Sequence, residues 1–380
     1  MKYLIDVCRR WWSIMKYPKS IPLVTIIMVF ILLDYGMAKL YWKHLSSIPY
    51  YFAVNTRRDD MHFHHTLREN IDTVDRWGMS IYPLKTNSLG FRDSDVRVVQ
   101  KTANKKRILF IGDSFTEGLG LPFEKTFVGI VSDRLRPNNI EVLNAGVMSY
   151  SPKLYHYKLK YLLDTAKVQM NTVVVMIDMS DMQDEIAYKE YAPGTQNLFR
   201  SLEQIIKRYA VRNSVIGNMV FRAAYTLSER YDKHAAIPGG KATGTQKDYA
   251  SLEEYTYERS AWYSARNYDA WGREGSELAK YHLSELVKLC KTHGAEVVLA
   301  VYPWPRQIDE NDAENRHVLY WREFARAHNV GFINLFALFM PSDPDTVIEQ
   351  YYIHDDIHFN EAGHMLVAQS LLKWYSTHAR

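Results

Sequence analysis

The chain has 380 residues and a mass of 44.4 kDa, which is enough for one large domain or two. Hydrophobic residues make up 47% and charged residues 24%, which is typical of a globular protein and argues against a disordered one. The formal charge of +4 is small, and Lys and Arg are scattered, which argues against a nucleic-acid-binding protein. The two cysteines, Cys8 and Cys290, lie on either side of an apolar N-terminal stretch, so we expect no disulfide.

The first 42 residues predict a membrane anchor. Residues 1–20 form a basic leader, and residues 21–42 are mostly apolar and long enough to span a bilayer. Asp34 and Lys39 interrupt this stretch near its outer end, where charged groups can reach the interface. The basic leader predicts a cytoplasmic N-terminus, with the rest of the chain outside the cytoplasm, on the periplasmic side of a cell with two membranes. A cleaved signal peptide is the main alternative, followed by a buried helix of a soluble protein.

Residues 43–104 form a less regular juxtamembrane segment. Its histidines, His62, His64 and His65, have no further ligand residues at metal-binding spacing, which favours a solvated surface over a metal site. Residues 87–93 predict a turn that leads into the next domain, with a structural role favoured over one at the rim of a site. We expect neither a metal nor a cofactor.

From residue 105 to the C-terminus, apolar runs of strand length alternate with stretches of helical periodicity. This alternation predicts a parallel sheet covered by helices, in a flavodoxin-like three-layer α/β/α sandwich. The sheet is predicted to have five strands, at residues 107–111, 140–143, 172–177, 296–301 and 330–334.

A long insertion at about 184–275 interrupts this alternation. Residues 197–230 have helical patterning, residues 236–247 are rich in Gly, Ala and Thr, and residues 254–271 are aromatic. Because the insertion follows the third strand, it is placed to cap the site. Its aromatic stripe is more typical of core packing than of a sugar-binding platform.

Two short motifs carry the candidate chemistry. The first predicted strand ends at Gly112-Asp113-Ser114, which places Ser114 at the carboxyl edge of the sheet, where ligands bind in open α/β folds. Near the C-terminus, His354-Asp355-Asp356-Ile357-His358 precedes a helix. A serine nucleophile needs a base, and the base needs a group that orients it. The two motifs supply these three residue types in Ser114, His358 and Asp355.

These motifs resemble those of the SGNH (GDSL-type) hydrolase family. The family has a Gly-Asp-Ser turn near the start of its domain and Asp-x-x-His near its end, and it keeps the fold predicted above. The resemblance implies that Ser114 is the nucleophile, His358 the base and Asp355 its orienting group.

Two further blocks would build the oxyanion hole. They are Asn144-Ala145-Gly146 and residues 178–181, in which Ser180 stands where the family has asparagine. The implied donors are Ser114, Gly146 and Ser180.

Several alternatives stay open at the level of sequence. His354 and Asp356 compete with the favoured pair, and a metal site at residues 354–358 is a minor alternative. The favoured function is a serine esterase that removes O-acyl groups, such as acetyl, from an envelope or exported glycan. The alternatives are an O-acyltransferase using the same triad and a non-catalytic glycan-binding or assembly protein. The expected partners are an acylated glycan or small ester, the membrane, and a membrane-bound acyltransferase, with no nucleic acid.

Overall fold

The computed structural model describes residues 21–41, 56–102, 105–194, 206, 209–211, 213–220, 223, 257–340 and 343–378. The chain divides into two compact units. The smaller unit draws on Met1–Val54 and Leu198–Ser228, and the larger one comprises Asn55–Asn197 and Glu229–Arg380. The predicted basic leader at residues 1–20 and the Gly-rich stretch at residues 236–247 lie outside the described residues.

The smaller unit contains one long apolar helix, α1 (Ile21–Leu40). Its Leu23–Leu40 segment has a mean hydropathy of 2.0 and is long enough to cross a membrane, although a signal sequence would meet the same criteria. Most of its large apolar side chains are exposed, as Ile26, Phe30 and Leu33 illustrate. The helix predicted at this position is therefore present, while its insertion in a membrane stays a prediction.

The larger unit begins with strands that the sequence analysis did not predict. A separate two-stranded antiparallel ribbon pairs β1 (Arg57–Asp60) with β2 (His64–Leu67). It is followed by β3 (Asp72–Trp77), β4 (Ser80–Thr86) and β5 (Arg92–Asp93), which pair antiparallel with one another in this order. The part of the juxtamembrane segment from residue 55 onward thus belongs to the same compact unit as the predicted hydrolase domain.

The central strands of the larger unit are parallel and match the five predicted strands. They are β6 (Lys106–Ile111), β7 (Ile140–Asn144), β8 (Thr172–Ile177), β9 (Glu296–Val301) and β10 (Gly331–Asn334). They lie side by side in the order β10-β9-β8-β6-β7, and having β6 between β7 and β8 is the arrangement of flavodoxin-like folds. This confirms the predicted fold class.

The antiparallel strands extend this parallel sheet to eight strands, in the order β10-β9-β8-β6-β7-β5-β4-β3. The junction is the pairing of Arg92 on β5 with Asn144 on β7. The sheet is therefore larger than the five strands that the sequence predicts, and its added edge comes from residues 72–93.

The helices of the larger unit follow the strands as crossover connections, as a parallel sheet requires. The described helices are α2 (Ser114–Glu117), α3 (Phe127–Leu135), α4 (Pro152–Lys160), α5 (Asp181–Ala187), α6 (Ala265–Asn267), α7 (Arg273–Thr292), α8 (Pro305–Asp309), α9 (Arg316–His328), α10 (Pro344–Tyr351) and α11 (Glu361–His378). The inner strands are apolar and almost fully buried, and they form one continuous core with the helices.

The aromatic stretch of the insertion packs into this core. Trp262 has no exposed surface, and its ring contacts those of Tyr263, His317 and Tyr320. Its indole Nε1–H donates to His317 Nδ1 at 3.1 Å. The core-packing interpretation is therefore confirmed for Trp262.

Candidate active site

The nucleophile turn connects β6 to α2. Asp113 is the N-cap residue of α2, and its carboxylate accepts a hydrogen bond from the Phe115 N–H at 3.0 Å. A Cβ on Gly112 would lie 2.2 Å from Thr116 Oγ1, so only glycine fits at this tight turn. The turn therefore places Ser114 at the first helical position, at the carboxyl edge of the sheet.

Ser114 and His358 are brought together by a short chain of hydrogen bonds. Ser114 Oγ lies 2.8 Å from His358 Nε2, although the two residues are 244 positions apart in the sequence. On the other side of the ring, His358 Nδ1 lies 2.6 Å from Asp356 Oδ1. The same Oδ1 accepts the backbone N–H of His358 at 2.9 Å, which fixes the carboxylate relative to the ring.

The structure corrects the predicted orienting group from Asp355 to Asp356. The Asp355 side chain is 85% exposed and contacts the exposed His354 ring at 3.0 Å instead of His358. Asp355 has a φ of +54°, a left-handed conformation that makes a sharp turn in the chain. The carboxylate that faces His358 after this turn belongs to Asp356, which is only 12% exposed. His354 is thereby also removed as a competitor for the base.

Trp77, at the end of β3, completes this chain of contacts and was missed by the sequence analysis. Its Nε1–H donates to Asp356 Oδ2 at 2.7 Å, and its ring meets the His358 ring edge-on at 4.9 Å between centroids. Although burial alone would raise the pKa of Asp356, the charge of His358 and the hydrogen bonds from His358 and Trp77 hold it below its ordinary value. No local motif marks Trp77, because it lies 279 residues from Asp356.

The predicted oxyanion donors other than Ser114 are engaged elsewhere. The Gly146 N–H donates to Asn144 Oδ1 at 3.0 Å. Ser180 donates its hydroxyl to Asp178 Oδ1 at 2.6 Å and its N–H to the same oxygen at 2.7 Å. The structure therefore does not support Gly146 and Ser180 as donors. The Ser114 N–H belongs to the first turn of α2, where N–H groups have no acceptor within the helix.

Gly146 instead fixes the distance between the loop after β7 and α2. A Cβ at this position would lie 2.6 Å from the Glu117 nitrogen and 2.7 Å from Thr116 Cβ. The neighbouring Asn144 side chain donates to the Thr116 carbonyl at 2.8 Å. The Asn144-Ala145-Gly146 block therefore supports the nucleophile helix by close packing.

Buried carboxylates lie beneath the site and have structural partners. Asp113 accepts from the Tyr302 hydroxyl at 3.1 Å, and Asp178 accepts from the Trp304 indole at 2.8 Å. Burial, reinforced by the charge of Asp178, raises the pKa of Asp113 well above its ordinary range. Trp304 is 1% exposed and thus supports the loop after β9. In the described part of the chain, no group of three His, Cys, Asp or Glu side chains is arranged to hold a metal ion.

Comparison with solved structures finds several similar proteins of low sequence identity. A catalytic mutant of the acetylxylan esterase Axe2 from Geobacillus stearothermophilus is 16% identical with a TM-score of 0.36, covering 72% of this chain and 95% of that one. The esterase EstA from Pseudoalteromonas sp. is 13% identical with a TM-score of 0.38, covering 72% and 98%. TesA is 13% identical with a TM-score of 0.39, covering 72% and 99%. No curated protein matches the chain significantly.

The family comparison covers the region that contains the site. The model of the GDSL-like lipase/acylhydrolase family matches residues 110–366, which is more than half of the chain. This range includes both Ser114 and His358. The chain therefore belongs to the GDSL-like lipase/acylhydrolase family and is an enzyme that hydrolyses ester bonds.

Proposed function

We propose that Ser114, His358 and Asp356 form the catalytic triad of this esterase. The observation that carries the proposal is the hydrogen-bond chain from Ser114 Oγ through both ring nitrogens of His358 to Asp356 Oδ1. A base within 2.8 Å of the hydroxyl and a carboxylate on its far nitrogen are the two contacts that activate a serine.

In the proposed reaction, Ser114 Oγ attacks the ester carbonyl carbon while His358 Nε2 takes the hydroxyl proton. Asp356 holds the Nδ1–H tautomer and stabilises the imidazolium that forms. The N–H of Ser114 meets the developing oxyanion at the start of α2. His358 then gives its proton to the departing alcohol, leaving an acyl-serine. Water, deprotonated by His358, cleaves that acyl-serine and restores the enzyme.

We further propose that the substrate is an O-acylated glycan of the cell envelope, with acetyl as a representative acyl group. The support for this substrate is the position in the cell that the N-terminal segment predicts for the enzyme. A basic leader followed by the apolar α1 is the pattern of an anchor whose following domain lies outside the cytoplasm. An esterase held at that surface meets envelope polymers sooner than cytoplasmic metabolites. We propose the periplasmic side as its location.

Labelling and hydrolysis test the triad and the substrate separately. A fluorophosphonate probe should label the wild-type enzyme and fail to label Ser114→Ala. Wild-type enzyme should hydrolyse p-nitrophenyl acetate and release acetate from an O-acetylated envelope polysaccharide. A labelled enzyme that cleaves the small ester but spares the polysaccharide would contradict the glycan assignment. An unlabelled wild-type enzyme without esterase activity would contradict the triad.

The same experiment separates hydrolysis from transfer. In acyl transfer, a sugar hydroxyl replaces water in attacking the acyl-serine. If an added deacetylated glycan becomes acetylated at the expense of free acetate, the enzyme is an O-acyltransferase and the hydrolase proposal is wrong. Release of free acetate that is unaffected by the acceptor supports hydrolysis.

A further inference from the structure

The two charged residues that interrupt the apolar α1 both have partners in the long insertion. Asp34 Oδ1 accepts the backbone N–H groups of Val215 at 3.0 Å and of Ile216 at 3.1 Å. One turn further along α1, Lys39 Nζ donates to Asn213 Oδ1 at 2.8 Å. The insertion residues involved belong to the same compact unit as α1.

The geometry at Asp34 is that of a helix cap supplied by another helix. Residues 215–220 are helical, and the first N–H groups of a helix have no partner within it. A carboxylate at this end satisfies those groups and is favoured by the helix dipole. An ionised Asp in an apolar segment is costly unless it is paired, and here the pairing is provided by residues 215 and 216.

Each of the two elements also buries a small or apolar side chain near these hydrogen bonds. Ala38 lies one helical turn after Asp34 and has no exposed surface, and Val211 in the insertion is also fully buried. A small residue such as alanine allows helices to approach closely. At the outer end of α1 only the face that carries Ala38 is buried, since Leu40 is 81% exposed, and the side chains of Ile26, Phe30 and Leu33 are exposed in the inner part as well.

Several large apolar side chains of the insertion segment are exposed. Ile206 is 64% exposed, Tyr209 66%, Met219 64% and Val220 57%. Residues 198–228 also contain five basic residues and one acidic residue, namely Arg200, Lys207, Arg208, Arg212, Arg222 and Glu203. Apolar side chains combined with net positive charge are the composition of an interfacial segment that binds anionic lipid.

We propose that the part of the insertion that carries Ile206, Tyr209 and residues 213–220 is a second membrane-contacting element, which docks on the outer end of α1 and rests in the lipid interface. This inference depends on the proposed anchoring by α1, whose apolar surface the segment continues. It also implies that α1 stays in the mature protein, because cleavage within residues 34–42 would remove the partners of residues 213–216. The occupant of the apolar surface is the bilayer, and the basic residues favour an anionic one.

Site-specific quenching in vesicles tests the proposed contact with lipid. The full-length Cys8→Ser protein, in which Cys290 stays buried, receives one of three further cysteines for a fluorescent dye. The three are Met219→Cys in the segment, Phe30→Cys in α1, and Leu319→Cys as a control that is 51% exposed on α9. In vesicles of phosphatidylethanolamine and phosphatidylglycerol, nitroxide-labelled lipids should quench the dye at 219 and 30 but not at 319. Quenching at 219 only by aqueous iodide would overturn the proposal.

A second variant tests the docking contact itself. Adding Asp34→Ala and Lys39→Ala should reduce lipid quenching at 219 toward the level of position 319, while quenching at 30 persists. Undiminished quenching at 219 would show that these contacts do not hold the segment. Replacing phosphatidylglycerol by phosphatidylcholine should weaken quenching at 219 if the basic residues contribute, and unchanged quenching would contradict that contribution.

The mature N-terminus gives an independent readout of the retained helix. The intact mass of protein extracted from membranes should include α1, and a mature chain that begins within residues 34–45 would overturn the proposal. Hydrolysis of p-nitrophenyl acetate is measured on the same samples. Active enzyme with an unquenched position 219 would refute the second membrane element alone and leave the proposed triad intact.

Discussion

At the scale of single residues, the choice between two adjacent carboxylates decides how His358 is oriented. Asp356 contacts the ring and is largely buried, whereas Asp355 is exposed and pairs with His354. Asp356→Asn should lower kcat roughly 10²- to 10⁴-fold, because an amide at this position favours the wrong tautomer of the histidine. Asp355→Asn is the matched control and should change kcat by about twofold at most, because exposed ion pairs contribute little. The reverse ranking in steady-state kinetics would restore Asp355 as the orienting group.

Trp77 gives a second prediction at this scale, as a positioning residue that acts through Asp356. Trp77→Phe keeps an aromatic ring beside His358 but removes the hydrogen bond to Asp356 Oδ2. A hydrogen bond to a charged group contributes about 1.5–3 kcal/mol, so kcat should fall about tenfold or more with little change in KM. Since this bond helps to hold the pKa of Asp356 down, the acid limb of the kcat profile should also move to higher pH. A loss of stability with wild-type kcat and pH profile would indicate a merely structural role.

At the scale of elements, the antiparallel strands at the sheet edge stabilise the nucleophile helix. The buried guanidinium of Arg92, on β5, donates to the carbonyl groups of Glu117, Gly118 and Leu121 at and after the end of α2. These carbonyls would otherwise lack partners, as the last carbonyls of any helix do.

The prediction at this scale follows from removing that guanidinium. Arg92→Met should destabilise the protein by about 3 kcal/mol or more, because it leaves two buried carbonyl groups and one partly buried carbonyl group unsatisfied. Urea unfolding measures the change, and kcat should fall as α2 loosens. Lys85→Met on β4 is the control, since its ion-pair contacts at 3.7 and 3.8 Å are partly exposed, and it should cost about 0.5 kcal/mol at most. Equal losses of unfolding free energy in the two variants would contradict the proposal that Arg92 stabilises the end of α2.

At the scale of the whole molecule, buried neutral histidines make the fold sensitive to acid. His364 Nδ1 accepts the Phe127 N–H at 3.1 Å, and His317 Nδ1 accepts the Trp262 indole at 3.1 Å, so neither ring can gain a proton at that nitrogen without losing its bond. Burial lowers the pKa of both rings from 6.5 to about 3. At a pH between these two pKa values, the two histidines are protonated in the unfolded chain but stay neutral in the folded one.

Stability should therefore fall as the pH drops below about 6.5, by about 1.4 kcal/mol per pH unit for each of these histidines. Urea unfolding across roughly pH 7.5 to 4.5 measures this slope. His364→Asn, which keeps an acceptor oxygen but does not titrate, should flatten it by one histidine's contribution. His354→Asn, at a 92% exposed position, is the control and should leave the slope unchanged. If His364→Asn leaves the slope of stability against pH unchanged, His364 does not contribute to the acid sensitivity.

Local patterns in the sequence were enough to predict the parallel core and the position of Ser114 at its edge. The five central strands and the Gly112-Asp113-Ser114 turn are encoded by local patterns, namely apolar runs and a glycine with no room for a side chain. The choice of His358 over His354 came from the resemblance to the SGNH family, because the local spacing alone left both histidines open.

The groups that surround Ser114 and His358 depend on contacts between distant parts of the chain. Asp355 and Asp356 are equivalent by composition, and the backbone turn at Asp355, with its φ of +54°, determines which carboxylate faces the ring. Trp77 reaches the site because β3 to β5 extend the sheet, a pairing over long sequence separation that no local periodicity reports. Gly146 matched a family pattern and Ser180 stood in place of the family's asparagine, yet Asn144 and Asp178 accept their hydrogen bonds. Whether an N–H or O–H group is free to donate to an oxyanion depends on its neighbours in space, and a sequence motif does not specify those neighbours.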